Sequence, residues 1–143
     1  MIFPKQIVKL DDFITQPSLI SRLKRLLDIF SEKDIFLNLL FNGCRHSGKK
    51  TLVNCILYEL FGEKTRHLEK VEYEQKVGNN NIEICFYKSM YHYIIDPSKY
   101  MNYDKIVLIE FIKNFLSTKN IANNYFNICV ILNVHLLSKN CQN

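Results

Sequence analysis

The chain has 143 residues, 48% of them hydrophobic and 23% charged, about one domain's worth of material. That balance excludes a disordered chain, a fibre and a low-complexity array. The net charge of +5, from 19 Lys and Arg against 14 Asp and Glu, permits an anionic partner without demanding one.

The apolar runs are short, and none nears the roughly 18 to 20 residues that cross a bilayer. Residues 1–5 lack the basic n-region and long apolar stretch of a signal peptide, so a soluble intracellular protein is expected. Cys44, Cys55, Cys85, Cys129 and Cys141 are odd in number and show no C-x-x-C spacing. A disulfide framework or a zinc site is therefore not expected.

In chain order, Leu19, Ile20, Leu23, Leu26, Leu27 and Phe30 recur at helical spacing and predict a helix over residues 18–30. Ser18 is its expected N-cap. Arg22, Lys24 and Arg25 fall mostly on the other face. Residues 34–41 form a short, mostly apolar run that ends at Asn42-Gly43, which predicts a buried strand. Residues 51–61 read as a helix, with Gly62 as its stop. Residues 63–81 are polar and mixed, with a turn signal at residues 78–81.

Residues 82–86 alternate like a half-buried strand. Residues 91–95 are a second strand, stopped by Asp96-Pro97-Ser98, and the two read as a hairpin or adjacent strands. Residues 104–116 are amphipathic and predict another helix. Residues 126–134 are again a buried strand. This order indicates an α/β domain with a largely parallel sheet flanked by helices.

The loop between the first buried strand and its helix reads Gly43-Cys44-Arg45-His46-Ser47-Gly48-Lys49-Lys50-Thr51. It fits the phosphate-loop pattern G-x-x-x-x-G-K-[ST] except at the last position, where Lys50 stands and Thr51 follows. Glycines let backbone N–H groups turn around a phosphate, and the helix N-terminus adds unpaired donors and a positive dipole end. A Lys at this place reaches the β and γ phosphates, and the hydroxyl normally found at the last position holds Mg²⁺.

Hydrolysis also needs a carboxylate at the end of another buried strand. The matching strand ends Leu132-Asn133-Val134-His135, without an acid. Asn133 can orient a water but cannot take its proton. No catalytic residue is assigned, and nucleotide binding without efficient hydrolysis is expected. His135 is a weak base candidate, more simply read as structural. Tyr87, Tyr91, Tyr93, Tyr100 and Tyr103 surround His92 in sequence. An aromatic platform for bases is one reading; ordinary core and strand aromatics are the simpler one. Cys44 and His46 share the loop without a compelling nucleophile arrangement.

Several of these stretches resemble the small subunits of replication factor C, the eukaryotic sliding-clamp loader of the AAA+ class. They are Leu39-Leu40-Phe41-Asn42-Gly43, then Ser47-Gly48-Lys49-Lys50-Thr51, then Cys55-Ile56-Leu57 with Glu59-Leu60 and Gly62. The likeness continues through Ile82-Glu83-Ile84, Ser89 with Tyr91-His92, Pro97-Ser98, Asp104-Lys105-Ile106-Val107 and Ser138-Lys139-Asn140-Cys141-Gln142. The Gly-Lys-Lys-Thr ending is similar to the small subunit type whose own ATPase site is degenerate. The family's Trp-x-(Asp/Glu)-Lys-Tyr-Arg-Pro opening is not matched by residues 1–7.

The resemblance implies a single AAA+-like phosphate-loop domain over residues 1–143, cut short at the C-terminus without the lid and collar domains. It implies ATP or ADP at residues 43–51, with Lys49 on the β and γ phosphates. Gly43, Ser47 and Gly48 would supply the backbone cradle, and Thr51 the hydroxyl for any Mg²⁺. Lys105 and Lys139 would be DNA contacts. It implies a hetero-oligomer with other clamp-loader subunits that acts on the sliding clamp and primer–template DNA, in the nucleus or at a viral replication site. The alternatives are a small stand-alone phosphate-loop ATPase or kinase, and a degenerate scaffold that holds no nucleotide.

Overall fold

The computed structural model of the chain describes residues 9–12, 16–33, 38–116 and 127–142. Two compact units divide the chain, Met1–Glu63 and Lys64–Asn143.

The first unit is built on helices α1, Pro17–Lys33, and α2, Lys49–Phe61. The start of α1 corrects the expected cap. Pro17 is the first helical residue, where its fixed φ suits the helix and its missing N–H costs nothing. The Gln16 carbonyl accepts the first bonds, from the N–H groups of Leu19 and Ile20 at 3.0 and 3.2 Å. Ser18 lies inside the first turn. Ile20, Leu23 and Leu27 of α1 close with Leu10 and with Leu52, Cys55 and Ile56 of α2 into one apolar cluster. Each buried leucine there contributes roughly 1.5–3 kcal/mol. Arg22 and Arg25 are exposed, as the helical spacing predicts, and Lys24 pairs with Asp11. Gly62 ends α2 with φ 70°, its N–H bonded to the Tyr58 carbonyl.

The strand expected over residues 34–41 is not formed in its described part. Residues 38–41 join no ladder, and Leu39 and Leu40 are 44% and 79% exposed. Residues 34–37 lie outside the described residues. Apolar content marks a segment able to be buried, but a strand exists only where a neighbour supplies hydrogen bonds.

The second unit holds a four-stranded sheet in the order β1-β2-β3-β4. The strands are β1 Glu69–Val77, β2 Asn80–Lys88, β3 His92–Ile95 and β4 Ile128–Ile131. β1 pairs antiparallel with β2, and β2 antiparallel with β3; β3 pairs parallel with β4. The expected largely parallel sheet is thus corrected, since among the described residues a single junction is parallel. Connection length explains it. The loop Gly78-Asn79 and the turn at Ser89 are too short for anything but antiparallel neighbours, whereas a helix lies between β3 and β4. Gly78 takes φ 61° in the hairpin loop, where a side chain would be strained.

Residues 63–81, polar and mixed in sequence and assigned only a turn at residues 78–81, hold most of a 3-10 turn, Gly62–Arg66, and all of β1. Helix α3, Asp104–Phe111, continues into a π-helical turn, Ile112–Leu116. It places Val107 and Phe111 in a cluster with Ile84, Phe86, Tyr93 and Ile95 of the sheet. The Phe86 ring stands 5.0 Å from Phe111 and 4.6 Å from Phe115, centroid to centroid. β3 stops at Ile95, so on that side the β2 ladder ends at Phe86, short of Cys85 and the hairpin loop. Two tyrosines take over. The Cys85 N–H donates to the Tyr100 hydroxyl at 2.8 Å, and the Asn80 amide donates to the Tyr103 hydroxyl at 3.0 Å.

Candidate functional site

The first candidate is the loop that leads into α2. His46 and Gly48 both take positive φ, 60° and 80°, and these two left-handed steps turn the chain into the helix. Gly48 is the N-cap residue, and its carbonyl accepts from the Leu52 N–H at 2.8 Å. The side chain of Lys49 folds back over the loop. Its ammonium donates to the carbonyls of Gly43 at 2.8 Å and Cys44 at 2.5 Å and to the Ser47 hydroxyl at 3.3 Å. A Cβ on Gly43 would stand 3.3 Å from the Ser47 hydroxyl and 4.0 Å from the Lys49 Cδ, so glycine leaves room for this closed arrangement.

The loop and the first turn of α2 therefore gather an ammonium, a hydroxyl and the unpaired N–H groups of a 13-residue helix. Those are the parts that hold a phosphate. Arg45 and His46 are exposed on the loop, Lys50 is exposed, and Thr51 is half-buried one residue further along α2.

In the second unit, β3 and β4 run parallel and end side by side. The Leu132 N–H donates to the Ile95 carbonyl at 2.9 Å, which extends the pairing one residue past β4. Leu132 is buried, and Asn133 turns left-handed with φ 54° and ψ 37°. The Asn133 amide donates to the Asp96 carboxylate at 2.8 Å, and the Ser98 hydroxyl donates to the other carboxylate oxygen at 2.6 Å. Sequence reasoning finds no acid at the end of this strand and misses Asp96, which the neighbouring strand supplies. The signal lies in Asp96-Pro97, but only pairing with β4 gives it meaning. His135 is exposed in the following 3-10 turn, Val134–Leu136.

His92 is buried and serves the turn into β3. The Ser89 hydroxyl accepts from the N–H groups of Tyr91 and His92 at 3.1 and 3.0 Å and lies 2.6 Å from the His92 Nδ1. With both its lone pairs engaged by backbone, Ser89 has none left for attack on a substrate. Burial pushes the His92 pKa down to about 4, so the ring is neutral. Burial likewise pushes the Cys129 thiol up to about 12, far from thiolate chemistry. Tyr93 is a core residue, and Tyr100 and Tyr103 close the β2 edge, so these three serve the fold rather than a base-stacking platform.

Lys105 and Lys139 are both exposed. They flank one anchor. Asp104 accepts from the Lys105 N–H at 2.7 Å and from the N–H and hydroxyl of Ser138 at 2.5 and 2.9 Å. Ser138 in turn precedes α4, a single turn over Lys139–Gln142. Among the described residues no group of three His, Cys, Asp or Glu side chains could hold a metal ion. No helix among them is long and apolar enough to cross a membrane.

No protein-family profile matches the chain. Individual proteins do. It is 33% identical over 138 residues to a replication factor C small subunit of Acanthamoeba polyphaga mimivirus, covering 94% of this chain and 36% of that protein. It is 31% identical over 112 residues to replication factor C subunit 3 of Homo sapiens, covering 75% and 31%. It is 29% identical over 126 residues to replication factor C subunit 5 of Schizosaccharomyces pombe, covering 83% and 34%. The chain spans about a third of the length of these relatives. The similarity runs through most of the sequence: this chain is a relative of the replication factor C small subunits.

Proposed function

We propose that the chain works as a nucleotide-holding subunit of a clamp loader in DNA replication, binding ATP or ADP without efficient hydrolysis. In this reading residues 1–143 form one AAA+-like phosphate-loop domain. Its partners are other clamp-loader subunits, the sliding clamp and primer–template DNA, and its place is the nucleus or a viral replication site. The similarity to replication factor C small subunits supports the assembly. The observation that carries the nucleotide part is the Lys49 ammonium, held over the loop by the Gly43 and Cys44 carbonyls at the start of α2.

Gly43, Cys44, Arg45, His46, Ser47 and Gly48 form the cradle, and Lys49 exchanges its loop carbonyls for the β and γ phosphate oxygens. Lys50 fills the usual hydroxyl position with a cation, which leaves Thr51 to orient any metal. Mg²⁺, when bound with the nucleotide, neutralises phosphate charge. Lys105 and Lys139 are sequence-independent contacts to DNA phosphates. The buried Leu132 and the amide of Asn133 support holding over hydrolysis.

One observation favours a second reading, a phosphate-loop ATPase or kinase. Asp96 brings a carboxylate to the ends of β3 and β4. Melting and turnover measurements separate the readings. ATP or ADP at 100-fold over Kd should stabilise the chain by about 2.7 kcal/mol, Lys49→Ala should abolish that gain, and no turnover should be seen. Turnover that Asp96→Asn removes establishes the ATPase reading, and an unchanged melting temperature establishes a scaffold without nucleotide.

A further inference from the structure

The second unit carries a recess of about 600 Å³ that none of the roles above uses. Its volume lies within the roughly 300–1,000 Å³ of small-ligand sites. Arg66 and His67 enter it where the 3-10 turn Gly62–Arg66 ends, Glu69 where β1 begins, Lys88 where β2 ends, and Met90 from the turn that follows. Glu69 and Lys88 are direct partners in the hairpin register, so their side chains leave the same face of the sheet. Hairpin closure thus gathers basic side chains from two distant stretches of sequence.

The lining is mixed. Arg66, His67, Glu69 and Lys88 are exposed, and Met90 is 53% exposed. The Lys88 ammonium lies 5.9 Å from the centre of the Tyr93 ring, within reach of a cation–π attraction. Two permanent cations outnumber the single carboxylate, and an imidazole and a thioether stand beside them.

We propose that this recess holds one nucleotide unit of a single-stranded nucleic acid. Arg66 and Lys88 take the phosphodiester, as exposed cations do without reading sequence. The His67 ring and the Met90 thioether lie against the base, whose flat face accepts such contacts whatever its identity. Glu69 accepts a hydrogen bond from a base amino group or a sugar hydroxyl. An acidic peptide would bring further carboxylates to this one, and a compact anion has no flat face to set against the ring and the thioether. The assignment rests on the recess itself and goes beyond the nucleotide-holding reading of residues 43–51.

Fluorescence anisotropy of a short labelled single-stranded oligodeoxynucleotide tests it, with the chain titrated over a salt series. Lys88→Gln and Arg66→Gln should each weaken binding about three- to tenfold and flatten the dependence of log K on log salt by about 0.7 to 1. The melting temperature of each variant, measured alongside, separates lost binding from lost fold. Lys88→Gln should keep the ATP-dependent melting shift even where it has lost oligonucleotide affinity, which keeps the two readings apart. Inorganic phosphate and poly-glutamate should compete poorly at matched charge. Unchanged affinity in both glutamine variants overturns the proposal. So does equal displacement by poly-glutamate, or a loss confined to Lys105→Gln and Lys139→Gln.

Discussion

His92 is a titratable group kept in its uncharged state by the fold. Burial pushes its pKa down to about 4, while the unfolded chain binds a proton near 6.5. Below that value the unfolded state takes up the proton first, so stability is full above about pH 6.5 and falls as pH drops towards 4. The loss is on the order of 3 kcal/mol. Burial pushes the Asp104 carboxyl up, but the bonds from Ser138 and Lys105 outweigh it and hold the group below the usual carboxylate range. Its contribution is present above the unfolded carboxylate value and disappears only at lower pH. Urea unfolding at a series of pH values should show the His92 slope first. His92→Gln should unfold more easily at pH 7 and lose the slope between pH 6.5 and 4; an unchanged slope would mean that another group carries it.

Met101 is strained in a different way. It takes φ 45° and ψ −113° with 80% of its surface exposed, a backbone conformation that a side chain opposes. Its apolar surface stabilises little at that exposure. Met101→Gly should therefore stabilise the chain by up to about 1 kcal/mol, seen as a higher midpoint of thermal unfolding, and Met101→Ala should not.

The hairpin of β1 and β2 shows how an element can be readable and still carry a conflict. Val71, Tyr73 and Val77 point inward at a period of two, with Glu72, Glu74 and Lys76 between them. The alternation lies within residues 63–81, but the interleaved charges make the stretch polar and mixed, and spacing alone assigns no strand to it. The same charges suit an edge strand, because they discourage pairing with another chain. Register adds what spacing alone cannot. Glu74 stands directly opposite Glu83, and like charges in that place repel. Glu74→Lys should stabilise the second unit by about 0.2–1 kcal/mol, seen as a higher urea midpoint at unchanged m-value and lost at high salt. A gain that survives high salt would assign the effect to packing instead.

Across the whole molecule, the features set by near neighbours were legible in advance. Helical spacing located α1, α2 and α3. Gly62 and Asp96-Pro97 marked where elements stop, and the loop of residues 43–51 was recognisable from its glycines and Lys49. Hydrogen-bond rules and steric preferences act within a few residues, so such features survive without a partner. What only the tertiary structure decided lies further apart in sequence. Asp96 meets Asn133 37 positions away, and Asp104 meets Ser138 34 positions away. Pairing also made residues 128–131 a strand beside β3, while residues 38–41, apolar at Leu39, Leu40 and Phe41, joined no ladder. A period in the sequence says which face of a segment seeks burial; which neighbour completes its hydrogen bonds is settled by the folded chain alone.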